Sequence, residues 1–144
     1  MINYVKGNIF ESSADALVNP VNCVGVMGKG LAEKFKAEFP KNYMSYRDYC
    51  CQELLLPGFL FTFEEKGKFI INAATKDHWR GHSTYLWVSV CIDMIKFFCE
   101  CENIQSVAIP ALGCGLGGLR WNVVKTFFDE KFKDVNFNVE IYEP

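Results

Sequence analysis

Apolar positions along the chain change period several times, and the changes mark out the elements. Ile2–Lys6 alternates weakly and reads as a strand. Ala16–Asn19 is a short apolar run read as a buried strand, with Pro20 expected to end it. Leu31, Phe35 and Phe39 are spaced by four and share one helical face, and Pro40 is expected to close that helix. A second helix is expected over Asn42–Glu53. Phe59–Phe63 and Lys68–Asn72 then read as two strands of a hairpin, joined by the polar turn Glu64–Gly67. Leu86, Val90, Met94 and Phe97/Phe98 recur at three-to-four spacing and predict a long helix, with Ser83 as its cap. Ser106–Ile109 reads as a strand, Trp121–Phe132 as a helix and Asn138–Tyr142 as a last strand. The order ββααββαβαβ predicts an α/β fold, a central mixed sheet with helices on both faces.

Two loops in this pattern carry glycines where a strand hands over to a helix. Between Pro110 and Leu119, Gly113, Gly115, Gly117 and Gly118 fall within six residues. Between Val21 and Leu31 stand Gly25, Gly28 and Gly30. Glycine permits close approach of backbone to a ligand, and a following helix N-terminus offers free N–H groups and partial positive charge. The combination suits a diphosphate; the alternative is a flexible turn. Both loops follow strands, and ligands of such sheets sit at strand carboxyl ends, so the loops are expected to meet at one crevice.

Bulk properties narrow the classes. The 144 residues fit one domain, 1–144, and a composition that is 50% hydrophobic with 13 Phe is globular. A net charge of −2 argues against a broad sequence-independent grip on nucleic acid, though not against a local basic groove. Seven cysteines, an odd number with no Cys-x-x-Cys pair, read as reduced thiols in a cytoplasmic protein, mostly filling the core. No apolar run is long enough to span a membrane.

Several side chains invite a chemical role. Asn19 and Asn22 flank the first loop, where an amide suits a ribose hydroxyl pair or bonds its own loop. Lys29 either helps hold an anion or is a solvated charge. Lys76 follows an apolar strand end; it is either a surface lysine or an amine in the crevice, where partial desolvation would make it a nucleophile. Trp79 and Arg80 either stack on a base and meet a phosphate or pack on the helix beneath. His78 and His82 lie in a loop with Gly81, which does not suit a metal, and Cys114 reads as structural filling. An oxidoreductase dinucleotide fold fits poorly, because no Gly-x-Gly-x-x-Gly follows the first strand.

Taken together, Gly7–Phe10, Asn19–Ala32, Thr75–Gly81 and Ile109–Leu119 resemble the macrodomain family over nearly the whole chain. Within it the likeness is to the branch of the DarG antitoxin and the terminal ADP-ribose protein glycohydrolase. The resemblance implies a three-layer α/β/α macrodomain with a central mixed sheet, binding ADP-ribose without a cofactor or metal. It implies that Asn8 and Ile9 meet the adenine with Pro144 at its border. Val21 and Asn22 would lie by the distal ribose, with Asn22 holding it in reactive geometry. Gly28, Lys29, Gly30 and Thr75, with Ala111, Leu112, Gly113, Cys114, Gly115, Leu116 and Gly117, would wrap the diphosphate and distal ribose. Lys76 would be catalytic, and Trp79 and Arg80 would form a nucleic-acid rim.

Two departures qualify this. Many macrodomains have Asp where Asn8 stands, so weaker binding is expected. The protein glycohydrolase has an acid at the position of Gly117, whereas DarG-like macrodomains have glycine. The implied activity is therefore removal of ADP-ribose from a base, such as thymine in single-stranded DNA, with a toxin-type ADP-ribosyltransferase as functional counterpart. A glutamate-linked or O-acetyl-ADP-ribose substrate and a non-catalytic ADP-ribose reader are the alternatives. DarG also carries a further C-terminal region that this sequence does not show, so a partner-neutralising role is not implied.

Overall fold

The computed structural model describes residues 1–144. Six strands form one sheet: β1 (Ile2–Val5), β2 (Ala16–Val21), β3 (Leu60–Glu65), β4 (Lys68–Ala74), β5 (Ser106–Pro110) and β6 (Asn138–Tyr142). Four helices accompany them: α1 (Gly30–Glu38), α2 (Pro40–Cys51), α3 (Tyr85–Cys101) and α4 (Trp121–Lys131). The element order is the expected ββααββαβαβ. The strand order is β1-β6-β5-β2-β4-β3, parallel throughout except for the antiparallel β3 at one edge.

Alternation along the strands sorts side chains into two cores. Ala16, Val18, Ile71, Ala73, Val107, Ile109, Val139 and Ile141 face α3 and α4, meeting Val88, Ile92, Ile95, Val124 and Phe128. Leu17, Ile70 and Ala108 face the other way onto Phe35 and Phe39, while Val21 and Ala74 meet Tyr46 and Cys50 of α2. The result is the three-layer α/β/α arrangement. Parallel strands covered on both faces explain why β2 and β4 read as near-continuous apolar runs.

Three details differ from expectation. Pro20 does not end β2; it pairs opposite Ala73 of β4. It is tolerated because β2 pairs with β5 only at Ala16 and Leu17, leaving one side of its end unpaired. Pro40 closes one helix and opens the next: Phe39 breaks the helical path and Pro40 takes the first position of α2, where its missing N–H costs nothing. In α3 the buried face is Val88, Cys91, Ile92, Ile95 and Cys99, while Leu86 and Phe97 are 69% and 64% exposed. The helix is apolar nearly all round, so spacing alone does not select the stripe. Its small thiols pack as core residues.

A polar cluster sits between the sheet and α2. Asn19, Asn42 and Asn72 are fully buried. Asn72 donates to the Asn42 Oδ1 at 2.8 Å and the Phe61 carbonyl at 2.9 Å, and accepts from Asn19 Nδ2 at 3.1 Å and Asn42 Nδ2 at 3.2 Å. Every hydrogen-bonding position of Asn72 is used. Asn72→Ala strands its partners without solvent, so we expect a loss of about 2–3 kcal/mol in urea unfolding, against a near-neutral value if the network is incidental.

Candidate functional site

Five parallel strands end at the same edge of the sheet, and the segments leaving them enclose a cleft of about 830 Å³. It opens where β2 and β5 part beyond Leu17. Such divergence at neighbouring parallel strands is where α/β sheets bind ligands. Asn8 and Ile9 after β1 and Pro144 after β6 line one end; Thr75 and Lys76 after β4 line the other. The two glycine loops lie between and close together: a Cβ on Gly30 would come within 3.5 Å of Leu116 Cδ1.

The loop after β2 is held by Asn22. Its Oδ1 accepts from Val24 N at 3.1 Å and Val26 N at 3.3 Å, and its Nδ2 donates to the Val26 carbonyl at 2.8 Å. The buried Tyr46 hydroxyl donates to the Asn22 carbonyl at 2.6 Å and lies 3.0 Å from Oδ1. Of its amide hydrogens, one remains for a ligand. Asn19, the other amide considered from the sequence, is turned into the core on Asn72 and does not line the cleft.

The same loop is stitched to the one carrying Lys76. Thr75 N donates to the Val21 carbonyl at 3.1 Å, Cys23 N to the Asp77 carbonyl at 2.9 Å and Cys23 Sγ to the Lys76 carbonyl at 3.4 Å. Lys76 is thereby fixed beside Asn22. Its amine enters no ion pair, and burial lowers its pKa from the ordinary lysine value.

Across the cleft, the Gly113–Gly118 loop folds on itself through Cys114 N to the Ala111 carbonyl, Gly118 N to the Gly115 carbonyl and Leu119 N to the Gly113 carbonyl. The N–H groups of Gly115, Leu116 and Gly117 make no hydrogen bond within the protein, nor do those of Gly28, Lys29 and Gly30. Runs of unpartnered amides are anion-binding features. Lys29, Lys34 and Lys76 line the cleft against one acid, Glu143, which pairs with Lys125 at 3.8 Å. The cleft is thus positive in a chain of net charge −2.

Most residues singled out from the sequence line this cleft, Val21, Gly28, Ala111 and Trp79 among them. Three do not. Leu112 is fully buried in the main core. Cys114 turns its thiol to the Leu112 carbonyl at 3.4 Å, and burial pushes that thiol up to about 11, which suits filling better than nucleophilic attack. Arg80 is exposed outside the cleft, its guanidinium 4.5 Å from the Trp79 ring centre. His78 and His82 do not gather a metal-binding cluster with other side chains. Four cysteines, Cys23, Cys50, Cys91 and Cys99, are buried, and all seven thiols are free. Sequence reasoning missed Ser83, Lys34 and Phe10 as cleft residues; Ser83 was expected to cap α3, but Thr84 does so, accepting from Trp87 N at 3.1 Å.

The family model for the Macro domain matches residues 18–128. This chain belongs to the macrodomain family. Over its full length it is 37% identical to a DNA ADP-ribosyl glycohydrolase of Thermus aquaticus, of which the match covers 41%. The solved macrodomain of Thermus aquaticus DarG superposes with a TM-score of 0.95 at 37% identity, covering 100% of this chain and 99% of that one. Thermosipho africanus DarTG, solved in complex with ADP-ribose, gives a TM-score of 0.93 at 32% identity, covering 99% of this chain and 41% of that one. The macrodomain spans about two fifths of the length of the DNA ADP-ribosyl glycohydrolases it matches. No helix in it is long and apolar enough to cross a membrane.

Proposed function

We propose that this macrodomain binds ADP-ribose in the cleft and hydrolyses the bond joining it to a base in single-stranded DNA, such as thymine. The observation that carries the reading is Lys76, a partly desolvated amine outside any ion pair, held in the same cleft as two amide-bearing glycine loops. The relative named as a DNA ADP-ribosyl glycohydrolase and the DarTG complex with ADP-ribose support it.

In this account the adenine lies by Asn8, Ile9 and Pro144, and the diphosphate on the free amides of both loops. The distal ribose reaches Asn22 and Lys76. As the base departs, its anomeric carbon gains positive character. Lowered proton affinity keeps more of the Lys76 amine neutral, so it attacks that carbon as the carbon–base bond breaks; the base leaves with the bonding pair and takes up the proton that the new C–N linkage sheds, and water then releases ADP-ribose and regenerates the amine. The diphosphate anchor supplies binding energy that holds the ribose in reactive geometry. Trp79, 45% exposed beside the mouth, offers a stacking face to a flanking base, with the Arg80 charge above it. A hydrolase of base-linked ADP-ribose requires an ADP-ribosyltransferase that attaches it, which is the functional counterpart we assign, in the cytoplasm.

The test is a panel of conjugates: ADP-ribosylated single-stranded DNA, phosphorylated RNA ends carrying ADP-ribose, glutamate-linked protein and O-acetyl-ADP-ribose. The DNA conjugate is expected to turn over fastest. Preference for the glutamate conjugate overturns the substrate assignment, and tight ADP-ribose binding without turnover of any conjugate makes the protein a reader.

Asn8 bears on affinity. Its Oδ1 accepts from Phe10 N at 3.0 Å, capping the short 3-10 turn Ile9–Glu11. An aspartate keeps that cap and adds a second, charged acceptor for the adenine amino group. Asn8→Asp should tighten ADP-ribose binding about three- to tenfold by calorimetry. An unchanged or weaker affinity contradicts the adenine placement.

A further inference from the structure

Ser83 is a polar group in the cleft without a partner. It lies between the Lys76 loop and α3 and is 5% exposed. With Thr84 capping the helix, the Ser83 Oγ reaches no hydrogen-bond partner in the protein. Its backbone N–H donates to the Gly117 carbonyl at 3.0 Å, which holds the side chain against the inner side of the glycine loop. A Cβ on Gly117 would lie 2.4 Å from Ser83 Oγ, and one on Gly113 3.2 Å from Ser83 Cβ. A buried hydroxyl left unpaired costs about 1–3 kcal/mol, a cost that a ligand oxygen removes on binding.

We propose that the Ser83 hydroxyl is a ligand-binding group that hydrogen-bonds an oxygen of the terminal ribose; this rests on the reading of the cleft as an ADP-ribose site. The sheet order sets which part of the ligand it meets. Asn8 and Pro144 leave β1 and β6, whereas Lys76 and Ser83 follow β4, two strands beyond β5 on the far side. Ser83 therefore belongs to the reactive end. The diphosphate has the free amides of Gly115–Gly117 and the cleft lysines to satisfy it. A hydroxyl, which both donates and accepts, matches a ribose hydroxyl. The same packing bears on glycine at 117: a Cβ there would lie 2.5 Å from the Gly113 carbonyl oxygen as well as against the Ser83 hydroxyl, so the backbone and Ser83 together leave no room for a side chain.

Calorimetry with ADP-ribose and with ADP, which lacks the terminal ribose, tests this on Ser83→Ala and on Ser83→Cys, which keeps the side chain's shape with a slightly larger atom and a weaker hydrogen-bonding group. Both variants are expected to bind ADP-ribose about three- to tenfold more weakly than wild type and to bind ADP equally well. Without ligand, Ser83→Ala should melt no lower than wild type, because it removes an unpaired buried hydroxyl. Unchanged ADP-ribose affinity in both variants overturns the proposal. Equal losses for ADP and ADP-ribose also overturn it, placing the hydroxyl on the diphosphate or in the loop's architecture. Failure of the wild type to bind ADP-ribose refutes the parent reading instead, and is seen in the same titrations.

Discussion

Lys76→Ala is expected to lower turnover of ADP-ribosylated single-stranded DNA by about 10²–10⁴-fold, the range typical of a lost catalytic group. Affinity for free ADP-ribose should stay within about twofold, because Lys76 is one of three lysines in the cleft and its role lies in the reacting bond. The pH profile separates two forms of that role. Burial lowers the Lys76 pKa below the ordinary lysine value, so its neutral fraction grows as pH rises toward a folded pKa beneath 10.5. A nucleophilic amine therefore gives turnover that increases with pH on the alkaline side of neutrality and levels off above that pKa. A lysine acting as proton donor gives the opposite slope. Retained turnover in Lys76→Ala removes Lys76 from the chemistry altogether.

Gly113→Ala is expected to damage the fold strongly without touching the chemistry. Gly113 has φ of +75°, and a Cβ there would lie 2.8 Å from both Leu119 Cδ1 and Val88 Cγ2. Left-handed backbone costs a non-glycine residue roughly 1–2 kcal/mol, and overpacking a filled site costs roughly 1–3 kcal/mol more. Together we expect a loss of about 4 kcal/mol, or a melting temperature lower by roughly 10 °C for a chain of this size. Val88 and Leu119 belong to or pack on the core beneath the cleft, so the loop carrying the free amides shifts with them and ADP-ribose binding falls as well. Gly115→Ala is the control: nothing lies within 4 Å of its added Cβ, so its stability should change by less than about 1 kcal/mol. Equal stability of the two variants would show that the loop tolerates displacement and does not shape the cleft.

The parts of this architecture that could be read in the sequence are those fixed by local period and by punctuation. Runs such as Lys68–Asn72, and Leu31, Phe35 and Phe39 at helical spacing, gave each element its type. Glycines placed after β2 and β5 marked the crevice, because parallel strands bring their carboxyl ends to one edge. Side-chain direction was harder. Asn19 and Asn22 look equivalent in a loop-like stretch. Extension of β2 through Pro20 instead gives Asn19 the same parity as Leu17 and Val21, inside the sheet, while Asn22 falls just beyond and organises the turn. The Asn72 side chain that accepts from Asn19 Nδ2 is 53 residues away, a contact no local signal announces. Ser83 and Thr84 are likewise adjacent candidates for one cap, and a one-residue difference decides which hydroxyl is consumed by the helix and which is left in the cleft. The buried stripe of α3 escaped for a different reason: an all-round apolar helix has no polar face to define its complement.

On the proposed reading the cleft takes ADP-ribose off a base. That reading is tested most directly by incubating the protein with a single-stranded oligonucleotide carrying one ADP-ribosylated thymine and measuring the oligonucleotide mass over time. Return to the mass of the unmodified strand is expected, with equimolar free ADP-ribose and no strand cleavage. An oligonucleotide that keeps its modification, under conditions where the protein binds free ADP-ribose, would contradict the reading.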